Sequence, residues 1–260
     1  MYRFFLVLGL IVCLCSLMVV SARTVASAKS SVVGVLFTNP DGSVCQMPCI
    51  FGIRPGKTKF GEALTMLHEH PVTYNLRTIN LRAAGSSGAQ SVIFIGSSGG
   101  IYLDSDTQLE PVVRIALVLF SLDKAEEYVS YWTVLNWGVK DIPSTPSFDR
   151  IIQSAKLGDV LEYVGSPSDL SAHFVANTRT LDLYYPQLQS VVTPSDAQLG
   201  ATIDYWAFYT PLVFGSIYPD NRETPLIPWQ GLPLLRRVRN CLEQSDNYLL
   251  NPMWVCFVKP

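Results

Sequence analysis

The sequence predicts an α+β protein: an N-terminal hydrophobic leader helix, then two tandem units, each a short helix followed by an antiparallel β-meander. Three observations lead there. An apolar run occupies residues 4–20. A pattern of lysine, apolar residue, glycine, acid, apolar residue and leucine occurs twice, at residues 59–64 and 156–161. After each copy, β-branched and aromatic runs alternate with small and polar turn residues, which marks strands joined by hairpins. The expected boundaries are 1–28 for the leader, 40–142 for the first unit and 147–260 for the second, which adds a C-terminal helix and strand.

The leader comes first. Arg3 precedes the apolar run, and the triplets Val20-Ser21-Ala22 and Ala26-Ser27-Ala28 close it. A basic start, an apolar centre and a small-x-Ala end form a secretory signal. The run exceeds the roughly 7–15 residues of an ordinary signal centre and approaches the roughly 20 that span a bilayer. Cleavage and retention as a single membrane anchor are both open, with cleavage favoured. Cys13 and Cys15 lie mid-run, and neither follows the small residue of a lipoprotein site. The body is expected outside the cytoplasm, secreted or anchored through residues 4–20.

Four cysteines remain: Cys45, Cys49, Cys241 and Cys256. An even set in an exported chain suggests disulfides, with three possible connectivities. Local pairing of Cys45 with Cys49 and of Cys241 with Cys256 is favoured, because Cys-Gln-Met-Pro-Cys suits a tight loop. Crossed pairs and free thiols stay open. The charge balance, 19 Lys and Arg against 21 Asp and Glu, gives no electrostatic case for nucleic acid. Arg236, Arg237 and Arg239 read as a solvated helix face.

The stretch Gly52-Ile53-Arg54-Pro55-Gly56-Lys57-Thr58 approximates a nucleotide-binding loop. It is one residue too short between its glycines, and Pro55 removes an amide from the cradle. No nucleotide and no other cofactor is expected. The better reading is a helix start with Thr58 as N-cap and Glu62 near the positive helix end. Phe60, Ala63, Leu64 and Leu67 then form an apolar stripe, and Pro71 stops the helix.

The repeated helix carries Gly61, Glu62 and Leu64 in the first copy and Gly158, Asp159 and Leu161 in the second. Glycine is costly inside helices, so its recurrence suggests a close backbone approach or a shared cap. Strands are expected at 73–81, 91–95, 101–103 and 112–122 after the first helix. After the second they are expected at 172–175, 179–185, 190–193 and 203–209. Residues 143–146 read as the linker between units. A helix around 234–243 and a strand at 253–258 complete the chain.

The pattern Ile-x-Pro-Gly-x-Thr-x-x-x-Glu-Ala-x-x-x-Leu at residues 53–67 resembles the outer-membrane assembly lipoprotein (SmpA/OmlA) and β-lactamase-inhibitor-like superfamily. In those small domains a Gly-x-Ser/Thr turn opens a helix, a Gly-x-Pro follows it, and a β-meander packs against it. Gly165-Ser166-Pro167 matches the second element, and His70-Pro71 stands in its place in the first copy. The layout also resembles exported proteins of environmental bacteria without assigned activity. The resemblance implies a protein-binding or envelope-structural role rather than catalysis.

Chemical candidates are few. Gly96-Ser97-Ser98-Gly99-Gly100 matches the nucleophile elbow, which would make Ser98 the centre of an exported serine hydrolase. The elbow needs a following helix, and Ile101-Tyr102-Leu103-Asp104 reads as strand, so a hairpin turn is preferred. His68-Glu69-His70 lacks the i, i+4 spacing of a helical zinc site, so no metal site is expected. The pairs Asp104/Asp106 and Glu126/Glu127 read as surface loop. The aromatic residues Tyr131, Trp132, Trp137, Tyr184, Trp206 and Tyr209 include candidates for a protein- or glycan-binding face. The expected function is a non-catalytic module that binds an envelope or secreted protein through a sheet face or the groove between units.

Overall fold

A computed structural model describes residues 32–82, 89–106, 110–119, 145–175, 178–217 and 226–244. The leader, Tyr131, Trp132, Trp137, Cys256 and the expected strand at 253–258 lie outside the described residues. Among the described residues no helix is long and apolar enough to cross a membrane.

The strands are β1 (Arg77–Arg82), β2 (Gln90–Gly96), β3 (Gly99–Ser105), β4 (Val112–Leu119), β5 (Asp169–Val175), β6 (Thr178–Tyr185), β7 (Ser190–Pro194), β8 (Ile203–Tyr209) and β9 (Ile227–Pro228). All belong to one antiparallel sheet in the order β1-β2-β3-β4-β8-β7-β6-β5-β9. The helices are α1 (Val32–Leu36), α2 (Phe60–Glu69), α3 (Pro146–Ser154), α4 (Leu157–Val164), α5 (Pro211–Ile217) and α6 (Leu232–Gln244).

This corrects the expectation of two tandem helix-plus-meander units. The strands form a single nine-stranded sheet, because β4 pairs with β8 from Arg114↔Tyr209 to Val118↔Tyr205. The physical reason lies in both strands. An exposed final strand would leave a row of unpaired amides and carbonyls. In β4, Ile115, Ala116, Leu117 and Val118 are all buried, and so are Trp206, Ala207 and Phe208 in β8. A continuous apolar run suits a central strand covered on both faces rather than an edge.

The two repeated stretches occupy matching positions on that one sheet. Lys59 bridges Pro111 just ahead of β4, and Lys156 bridges Thr202 just ahead of β8. The Phe60 amide donates to the Glu110 carbonyl at 3.2 Å, and the Leu157 amide to that of Ala201 at 2.8 Å. Each helix start is thereby tied to the entry of a central strand.

Local details depart from expectation at three places. Thr58 does not cap α2; its hydroxyl accepts from the Arg54 amide at 2.9 Å and closes the preceding turn. The amides of Gly56, Lys57, Thr58 and Phe60 all donate to protein carbonyls, so the turn has no amide cradle to offer a phosphate. The repeated glycines also differ. A Cβ on Gly158 would lie 3.1 Å from the Leu199 carbonyl oxygen, whereas one on Gly61 would meet open space. Finally, Pro146 opens α3 rather than closing a linker, and Thr145 is buried.

The main core lies between the helices and one sheet face. Phe60, Ala63 and Leu67 of α2 and Leu157 and Val160 of α4 pack over Phe94, Leu103, Ile115, Leu183 and Trp206. Phe37, just after α1, is wedged among three rings: Tyr163 stacked at 5.2 Å, Trp206 edge-on at 5.4 Å and Phe208 edge-on at 6.1 Å. Burying such a ring contributes about 2–3 kcal/mol.

Candidate functional site

Side chains alternate across a strand, so the face turned away from the main core can be read from register. On β8 it carries Tyr205, Ala207 and Tyr209; on β4 it carries Arg114, Ala116 and Val118. Across β3 it continues with Tyr102 opposite Ala116 and Asp104 opposite Arg114. Beyond β8 it takes in Val191 and Thr193, then Tyr184 and Asp182.

The centre of this face is built around two small residues. Ala116 and Ala207 sit directly opposite each other. The rings of Tyr205 and Tyr209, four residues apart, reach toward each other beside them, and their hydroxyls meet at 2.9 Å. Next to them the Arg114 guanidinium donates from Nε and Nη2 to the Asp104 carboxylate. The side chains of this pair keep 34% and 18% of their exposure. Burial opposes the Arg114 charge, but Tyr205, Asp104 and Tyr209 outweigh it and hold its pKa above the ordinary value. Burial, more than any neighbour, pushes both phenols above theirs. They therefore remain protonated and act as hydrogen-bond groups.

The flanks are apolar. On one side Ile79, Ile93, Ile95 and Val118 cluster with Tyr102 and Tyr205. On the other, Tyr184, Val191 and Tyr209 pack with Phe214 of α5. On β6, Asp182 accepts from the Thr193 hydroxyl at 2.6 Å. The face is thus an arginine, a carboxylate and tyrosines set between buried apolar patches. Such a band can pair charges, donate hydrogen bonds and stack.

Of the expected binding-face aromatics among the described residues, Tyr184 and Tyr209 share one cluster, and Trp206 lies apart from them. Trp206 points into the main core, where its indole N–H donates to the Ser190 hydroxyl at 2.9 Å. Tyr184 and Tyr209 lie on the opposite face and are buried. Sequence reasoning missed Tyr102, although strict alternation with Leu103 signals that it faces away from the core.

Ser98 lies in the two-residue turn between β2 and β3. Its hydroxyl accepts from the Gln153 side-chain amide at 2.6 Å, and its own amide donates to Asp149 at 3.0 Å. Asp149 also receives the Ser97 hydroxyl at 2.5 Å and the amide and hydroxyl of Thr145. The turn is fastened to the first turns of α3. The glycines serve this packing: a Cβ on Gly96 would strike Thr145, and one on Gly99 the backbone of β4.

Of the histidines in the repeat, His68 packs edge-on against Phe94, and His70 is buried against Phe51. Among the described residues no group of three His, Cys, Asp or Glu is placed to hold a metal. Cys45 and Cys49 form a disulfide, with Cα atoms 6.5 Å apart. Cys241 is disulfide-bonded as well. Of the repeat positions, Leu64 and Leu161 pack against the main core. Glu62 stands in the first turn of α2, and Asp159 accepts from the Lys156 amide at 3.1 Å.

No protein-family model matches the chain, and no curated protein matches it. A solved structure, a cysteine-rich secretory protein from Staphylococcus aureus subsp. aureus Mu50, aligns with 60% of this chain at 10% identity. The alignment spans half of that protein, with a TM-score of 0.25, too low for any inference about fold or function.

Proposed function

We propose that this chain is a non-catalytic, extracytoplasmic module that binds an envelope or secreted protein through the sheet face opposite its main core. The observation that carries the reading is the Arg114–Asp104 pair, whose side chains keep 34% and 18% of their exposure, next to the joined hydroxyls of Tyr205 and Tyr209. Arginine and tyrosine dominate the energetics of protein interfaces because they combine wide contact area with directional polar groups. The extracytoplasmic placement is supported by the Cys45–Cys49 disulfide, since such bonds persist in oxidising compartments. The non-catalytic reading is supported by Ser98, whose hydroxyl receives a glutamine amide where a hydrolase needs a base.

The test is affinity capture from native envelope fractions with the full chain as bait. Wild type and Glu62→Lys, a change on the exposed side of α2, retain the same discrete partner. Arg114→Glu loses it while keeping the wild-type circular dichroism spectrum. Equal capture by Arg114→Glu and wild type overturns the proposal.

A further inference from the structure

His70 is the first residue after α2, and it is 2% exposed. Its two ring nitrogens have different partners. Nδ1 lies 3.2 Å from the amide nitrogen of Val72. A backbone N–H can only donate, so Nδ1 is the acceptor and carries no proton. The proton of the neutral ring is therefore on Nε2, which lies 3.2 Å from the Thr38 hydroxyl. That hydroxyl donates onward to the Val35 carbonyl at 2.7 Å. The relay runs in one direction only: Val72 N–H to His70 Nδ1, His70 Nε2–H to Thr38 Oγ1, Thr38 Oγ1–H to Val35 O.

This relay joins two parts of the chain. One end is the C-terminus of α2. The other is the N-terminal segment of α1, Phe37 and the disulfide loop. The same segment touches the imidazole directly, since Phe51 packs edge-on against it at 4.8 Å. Phe51 is also tied to α1 by its amide, which donates to the Leu36 carbonyl at 2.7 Å.

We propose that His70 is a pH-operated latch that holds residues 32–53 against α2 only while its ring is neutral. A second proton has one place to go, Nδ1, where it would confront the Val72 N–H donor to donor. It would also put an unpaired cation in a buried site. Phe51 and Thr38 contact the ring; among the described residues, the neighbouring titratable groups His68 and Glu69 on α2 and Tyr74 beyond it are exposed. Burial, opposed by a hydrogen bond with the Thr38 backbone, holds the ring's pKa below its ordinary value, with no contribution from a charged neighbour. The sign follows. With the folded-state value below the unfolded one, the latch contributes in full above about pH 6.5 and is lost as pH falls through the folded-state value.

The test is amide hydrogen exchange on the full chain at about pH 8 and about pH 5, corrected for intrinsic rates. In wild type, protection at the Cys45, Phe51 and Val72 amides falls by up to about tenfold for each pH unit between 6.5 and the folded-state value. The β4 and β8 amides change less. In His70→Gln, whose amide can still donate to Thr38, protection in residues 32–53 no longer depends on pH. Protection in wild type that ignores pH, or a pH dependence that survives in His70→Gln, overturns the latch. Should the variant fail to fold, nitrogen chemical shifts of His70 in wild type decide the matter. An Nε2–H tautomer titrating below the ordinary range supports the latch, and an Nδ1–H tautomer or an ordinary titration refutes it.

Discussion

Arg114 and Asp104 face each other across β4 and β3, with guanidinium nitrogens on the carboxylate and Tyr209 on the other flank of the arginine. Their exposure places them between a surface pair, worth up to about 1 kcal/mol, and a buried one. A double-mutant cycle of Arg114→Ala and Asp104→Asn, followed by urea denaturation, is expected to give a coupling of about 1 kcal/mol. The coupling should shrink as salt is raised.

Asp149 receives four donors from Ser97, Ser98 and Thr145. Asp149→Ala removes them together, and a loss of about 2–3 kcal/mol in denaturant stability is expected. Ser98→Ala removes only the Gln153 contact and should cost about 1 kcal/mol or less. Treatment with a fluorophosphonate probe should leave Ser98 unlabelled in the intact protein.

The two repeat glycines should respond oppositely to alanine. Gly61 is exposed near the start of α2 with open space around its Cα, so Gly61→Ala is expected to stabilise by about 0.5–1 kcal/mol. Gly158 donates its amide to the Leu199 carbonyl at 2.8 Å. A methyl group there would press on the same oxygen, and Gly158→Ala should destabilise by about 1–2 kcal/mol. Thermal melts of the two variants check both signs.

Cys45 and Cys49 close a short loop whose cysteines are both buried. A loop this small restricts the unfolded chain by about 2 kcal/mol. Dithiothreitol should lower the melting temperature of wild type. The drop should be smaller in Cys45→Ser/Cys49→Ser, which keeps the bond at Cys241.

Much of this architecture is written locally. The stripe of Phe60, Ala63 and Leu67 marks α2, and alternation marks β8. The lysine-glycine-acid pattern marks two helix starts that hold equivalent places in the sheet. What local patterns do not encode is the partner of β4. Pairing of Ala116 with Ala207 joins residues 91 positions apart, and only the continuous apolar run of β4 hints that both its faces are covered. Thr58 shows a second limit. Its type suits an N-cap, yet the Arg54 turn competes for the same hydroxyl and wins it. Trp206 is separated from Tyr184 and Tyr209 for a third reason. Tyr205 and Trp206 are sequence neighbours on opposite faces of one strand, so a cluster in sequence is not a cluster in space. The relay through His70 depends on Thr38, 32 residues away, and no motif announces it.

The proposed partner-binding face bears Arg114 and Tyr102. The most direct measurement replaces Tyr102 with a photoreactive phenylalanine in the full chain and irradiates native envelope preparations. A matched probe at Glu62 reports the opposite side of the molecule. One discrete cross-linked protein is expected from position 102, abolished by adding Arg114→Glu, and none from position 62. No adduct from position 102, or the same adduct from both positions, contradicts the proposal.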